Sequence, residues 1–226
     1  MGLTAVTELW RPGLATTETN MLRNDKAGFG WVTIILHWTI AAIILALLAL
    51  GFFMRRVPID PVLQFSLYQW HKSLGFTALG LAALRALWHV VELHPKPPEG
   101  LSPLEQRAGS VTHIVLMGLA LAVPLAGWAV ASTSTLNIPS FYFNWFVIPH
   151  LPMAKSAPAE DFWTLVHMTL AYLFLAFVTL HVLAALYHHF ARRDDVLVRM
   201  LPTGSRRHKR SQTAGADPVI AGRKKP

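Results

Sequence analysis

Four stretches of this chain are too long and too apolar to be anything but helices that cross a membrane. Residues 31–54, 68–93, 110–131 and 162–190 each reach the roughly 20 residues that a helix needs to span a bilayer. A backbone surrounded by hydrocarbon must satisfy its own hydrogen bonds, which a helix does within one segment. A soluble bundle would carry a polar stripe along every helix, and residues 40–53 and 170–187 carry none. The second run is the least apolar, because Arg85 and His89 sit in its later half. Only 14% of the chain is charged, against roughly 25% in soluble domains. The expected fold is therefore all-α, an integral membrane four-helix bundle over 31–202. A cytoplasmic N-terminal segment, 1–30, precedes it, and a disordered basic tail, 203–226, follows.

Basic residues beside the helix ends set the expected orientation. Arg192, Arg193, Arg199, Arg206, Arg207, Lys209 and Arg210 follow the fourth run. Four crossings put both termini on one side, so both are expected on the cytoplasmic side, with the 94–109 loop beside them. Loops 55–67 and 132–161 then face outward, Arg55 and Arg56 being a mild exception. Residues 1–30 contain no apolar core of signal-peptide type, so the first run reads as a retained anchor. The net charge of +8 resides mostly in the tail and points to anionic lipid rather than nucleic acid. The aromatic, proline-rich stretch NIPSFYFNWFVIPHLP reads as an outer loop lying at the membrane interface.

No cysteine is present, which excludes disulfides, thiolate-bound iron–sulfur clusters and covalent c-type haem. Histidine is then the main candidate metal ligand, and its placement matters more than its number. His167 and His181 bracket the nearly apolar segment HMTLAYLFLAFVTLH. Fourteen residues rise about 21 Å and turn about 1400°, about 40° short of four turns. The two imidazoles thus share a side of the helix at different depths. His71 and His167 are expected near the outer face, His37 and His181 nearer the inner one. Polar side chains within membrane helices tend to mark function. Two pairs on facing helices suit two iron-containing haems b, one above the other, each held from both sides. Gly75, Gly80, Ala171, Ala184 and Ala185 leave room for a flat macrocycle, or merely allow close helix packing. Any single histidine among these has an alternative use, as a hydrogen-bond partner for a neighbouring helix. Arg85, fourteen residues after His71, faces the same way at the depth of the inner pair. Two destinations are open to it, a haem propionate or the cytoplasmic surface. His113 is a contact for a quinone or propionate, or has no ligand role; His188 and His189 lie at the inner interface. His89, His94, His150 and His208 read as interface or loop residues.

The pieces LHWTIAA around His37, WHKSLG around His71, THIVLMGLALAVPLAGW, VHMTLAYLFLAFVTLHVLAALYHHF and the closing RRDDVLVRMLP together resemble the bacterial cytochrome b561 family, including its superoxide oxidase type. The resemblance covers residues 28–202. It implies four transmembrane helices and two haems b, with ligands that match His37, His71, His167 and His181. It also implies electron exchange with ubiquinone and, in the superoxide oxidase type, oxidation of superoxide on the outer side. Outer cations Arg55, Arg56, Lys72 and Lys155 suit attraction of a small anion, although Asp60, Glu160 and Asp161 share those loops. Two other roles compete: a haem b subunit that anchors a larger dehydrogenase or respiratory complex, and a transporter or structural protein with incidental histidines.

Overall fold

The computed structural model describes residues 22–25, 28–56, 60–95 and 100–201. Most of the expected N-terminal segment, Lys96, His208 and the tail from 203 onward lie outside the described residues.

Four helices carry the fold: α1, Trp31–Arg56; α2, Pro61–Val91; α3, Pro103–Thr133; and α4, Ala157–Tyr187. All four are long and apolar enough to cross a membrane. Their outward faces carry large exposed apolar side chains such as Leu45, Phe52, Leu87 and Leu183, which suits contact with lipid. The last three helices begin well before the apolar runs. Asp60 accepts hydrogen bonds from the Val62 and Leu63 amides ahead of Pro61. Ser102 and Glu105 form a capping box around Pro103, and Ser156 caps α4 with Pro158 in its first turn. A capping side chain followed by proline starts a helix. Hydropathy marks only the part of a helix in hydrocarbon. His71 and His113, expected at helix starts, therefore lie ten residues inside, counted from Pro61 and Pro103.

The helices alternate in direction, so the bundle has a terminal end, where the described chain enters and leaves, and an opposite end. At that opposite end β1, Ser140–Tyr142, pairs antiparallel with β2, Phe146–Ile148. Phe143 and Asn144, both at positive φ (46° and 61°), are the central residues of the turn in the three-residue connection 143–145, closed by Trp145 N–H donating to Tyr142 O at 2.9 Å. Such a turn matches the twist of the strands. Asn tolerates it, whereas Phe143 is strained there. Its ring packs against Trp70 at 5.5 Å and Tyr142 at 4.8 Å.

The hairpin is fixed to α2 by buried polar groups. Gln69 donates to Pro139 O at 3.2 Å and accepts from Phe141 N–H at 3.3 Å. Ser73 Oγ accepts from Phe143 N–H at 3.0 Å and lies 2.8 Å from Phe141 O.

At the terminal end, residues preceding α1 are tied to the end of α2. Buried Glu92 accepts from Arg23 Nε at 2.6 Å and from Asn24 N–H at 3.0 Å. Asn24 Oδ1 in turn accepts from Gly30 N–H and the Thr33 hydroxyl, each at 2.8 Å. Gly30 is obligatory here, since a Cβ would stand 2.3 Å from Leu22 O. The segment after α4 folds back so that Trp38 Nε1 donates to Met200 O at 2.7 Å.

Along the chain α1 packs on α2, α2 on α3 and, most extensively, α3 on α4. Neither α1 nor α2 packs comparably against α4. What bridges that gap at mid-height is a core of Ile40, Ile44, Ala82, Leu119, Ala120 and Phe174. Phe174 stands seven residues from both His167 and His181. The core thus divides the space facing α4 into two compartments.

Candidate cofactor sites

Each compartment holds a facing pair of imidazoles. His71 and His167 lie ten residues into their helices from Pro61 and Ala157, and their ring centres are 6.3 Å apart at the hairpin end. His37 lies six residues after Trp31 and His181 six before Tyr187; these rings are 6.2 Å apart at the terminal end. The planes cross at 87° and 71°. With metal–nitrogen bonds of about 2.0–2.1 Å and each nitrogen about 1.1 Å from its ring centre, two imidazoles across one metal have centres about 6 Å apart. Both pairs have that spacing. No group of three or more ligating side chains occurs among the described residues, so a metal here would need its other ligands from elsewhere, as a macrocycle provides.

Two glycines missed by sequence reasoning shape the hairpin-end pair. A Cβ at position 127 would stand 3.0 Å from His167 Cε1, and one at position 51 would stand 3.3 Å from His71 Cε1. Gly127 is four residues after Val123, whose carbonyl accepts from His167 Nδ1 at 2.9 Å. The bare glycine lets the ring reach that carbonyl. Because a carbonyl only accepts, Nδ1 carries the proton and Nε2 is left as a free donor of electrons. His71 Nδ1 is buried without a hydrogen-bond partner among the described residues. Gly75 and Gly80 face open space within 4 Å.

The terminal-end pair is a cluster rather than a lone pair. His113, on α3, has its ring centre 5.3 Å from that of His181, closer than two imidazoles on opposite sides of one metal. Arg85 is half-buried at this end of the bundle and turns toward α1. Its Nη1 donates to Thr33 O in the first turn of α1 at 3.3 Å, beside Trp88 Nε1 donating to Thr33 Oγ1 at 3.0 Å. The side chain stays close enough to His37, His113 and His181 for their charges to interact.

The remaining histidines scatter. His89 and His94 touch at 3.1 Å on the surface, His188 pairs with Asp194 at 2.6 Å, and His150 lies in the loop after β2. Lys72, half-buried next to His71, has no hydrogen-bond or ion-pair partner among the described residues.

A membrane-spanning helical bundle with two stacked histidine pairs and no cysteine is an arrangement that suits the class of membrane cytochromes. Residues 28–203 match the model of the prokaryotic cytochrome b561 family, and the chain belongs to that family. It is thus a bacterial membrane cytochrome of a haem b family. It is 29% identical over 182 residues to cytochrome b561 homolog 2 of Escherichia coli (strain K12), covering 80% of this chain and 95% of that protein. The probable superoxide oxidase CybB of Yersinia pestis is 31% identical over 135 residues, 58% of this chain and 73% of that protein. Cytochrome b561 homolog 1 of Escherichia coli is 32% identical over 110 residues, 48% and 57% of the two chains.

Proposed function

We propose that this protein is a di-haem superoxide:ubiquinone oxidoreductase, with the hairpin end on the outer face and both termini in the cytoplasm. His71 and His167 would hold one haem b, His37 and His181 the other. The observation that carries this reading is the pair of ring spacings, 6.3 and 6.2 Å, at two levels of one bundle. Bound there, haem supplies one-electron transfer, and the protein sets its orientation, surroundings and access. A haem held by two histidines would leave oxygen no place at its iron, so these residues suit electron transfer rather than oxygen binding. The reaction balances when two superoxide anions become two dioxygen molecules and their two electrons, with two protons, convert ubiquinone to ubiquinol. The similarity to a probable superoxide oxidase supports the donor, and the basic residues after α4 support the orientation.

Lys72 supplies a cation without a carboxylate partner beside the hairpin-end pair, suited to drawing in a small anion. Arg85 supplies a cation near the terminal-end pair and so favours an added electron on that side.

The test begins with purified full-length protein. A pyridine haemochrome assay should give two haems per chain; none would end the reading, and one would remove a pair. His71→Ala and His167→Ala should lose the same haem, His37→Ala and His181→Ala the other. Generated superoxide should then reduce the haems rapidly, with the rate abolished by superoxide dismutase. Lys72→Glu should slow this several-fold at low salt and less at high salt, since charges are screened over about 8–10 Å. Slow reduction, or indifference to dismutase, would instead favour an electron-transfer subunit of a larger dehydrogenase, recognisable by a catalytic partner that copurifies.

A further inference from the structure

Ser140 Oγ and His150 Nε2 are buried at the hairpin end without a hydrogen-bond partner among the described residues. Such atoms are uncommon in folded proteins and ask for a ligand. Strand register brings their backbone segments to the same end of the hairpin. Ser140 opens β1 directly opposite Ile148, the last residue of β2, and His150 follows two residues later. Ser140 is 1% exposed. The backbone on both sides of His150 is clamped to α3, with Trp128 Nε1 donating to Pro149 O at 3.1 Å and Leu151 N–H donating to Ser132 Oγ at 2.9 Å. Those clamps adjoin the hairpin-end pair. Trp128 follows Gly127, against which His167 rests, and its ring packs at 5.4 Å on Phe76, five residues beyond His71. The loop backbone around His150 is therefore held beside this compartment, and His150 Nε2 meets no acceptor among the described residues.

An imidazole N–H and a serine hydroxyl are both donors, and an anionic oxygen is the acceptor they bind most strongly. We propose that Ser140 and His150 form an oxyanion-binding site at the base of the hairpin. Resting on the haem reading above, the oxygen belongs either to a propionate of the haem at this end or to superoxide itself. The two share one chemistry and differ in what the donors control.

The experiment uses full-length holoprotein with His150→Leu, Ser140→Ala and the conservative His150→Gln. Haem is counted first, so that loss of haem in the unmodified protein sinks the proposed function and not this site. If the ligand is a propionate, His150→Leu lowers the midpoint potential of the hairpin-end haem and shifts its carboxylate band in infrared difference spectra. The other haem stays put, and His150→Gln restores most of the value. If the ligand is superoxide, both potentials hold and the rate of reduction by superoxide falls about tenfold, the size of one lost charge-assisted hydrogen bond. Reduction by dithionite is unchanged in that case. Should His150→Leu fail to accumulate, Ser140→Ala, which removes a single oxygen, carries the same readouts. Two haems with potentials, band and rate all unchanged in every variant would overturn the proposal.

Discussion

A Cβ on residue 127 would press on His167 from 3.0 Å at Cε1 and 3.2 Å at Nδ1, whereas one on residue 51 would approach His71 Cε1 only to 3.3 Å. The first collision also lies on the route by which His167 reaches Val123 O. Gly127→Ala should therefore displace the ring or break that hydrogen bond, at about 1–3 kcal/mol for an overpacked site. Haem content should fall from two toward one per chain by haemochrome assay. Gly51→Ala should retain both haems and at most shift one potential. Equal effects of the two substitutions would mean that neither glycine is there for the ring beside it. At the other pair, Arg85→Gln removes a fixed cation while keeping a donor for Thr33 O. A charge at about 10 Å and an effective dielectric of about 20 is worth about 1–2 kcal/mol. The terminal-end haem should become harder to reduce by that amount in redox titration, and the hairpin-end haem should not move. The histidines were legible because depth along a membrane helix is a one-dimensional property, and the rings that face each other are the ones whose depths match. The glycines were not, since nothing in the sequence around position 51 or 127 says which helix comes opposite.

The hairpin is held to α2 by a few named side chains, which makes it possible to loosen it selectively. Ser73 Oγ meets both the carbonyl of Phe141 and the N–H of Phe143, so Ser73→Ala leaves two backbone groups unpaired over α2. Each costs about 1–3 kcal/mol if it stays buried. The expected result is faster amide hydrogen exchange at 140–148 with helix content by circular dichroism unchanged. Protection equal to that of the unmodified protein would show that the strands hold without α2. Sequence reading placed an aromatic interface loop here and missed the strands, because three-residue strands leave almost no period-2 pattern. The turn signal was also atypical, with Phe143 where glycine or asparagine is usual. The helices read far more clearly, except at their starts. There Asp60, Ser102 and Ser156 carry the helix past the apolar run into the polar boundary, which hydropathy alone does not register.

Across the whole molecule, α4 is bound laterally to α3 but meets α1 and α2 chiefly through the Phe174 layer and the two imidazole pairs. Long-range ties at the ends reinforce helices that already pack on each other. Arg23 and Asn24 reach Glu92 some 68 residues away, and Arg192 pairs with Glu105 and donates to Gly100 O at 2.8 Å. These ties were not legible in sequence, being pairings of ordinary polar residues far apart in the chain. Glu92→Ala strips the acceptor from both Arg23 and Asn24. It should lower the thermal midpoint of solubilised protein by several degrees, measured by loss of the haem absorption band, while two haems remain bound at low temperature. The weak lateral contact of α4 has a consequence for biogenesis. On the di-haem reading, the freshly inserted chain is a clasp whose two halves close only when cofactor arrives. Cells starved of haem should then hold a species that membrane proteases recognise, and its abundance should track haem supply even when its messenger RNA does not.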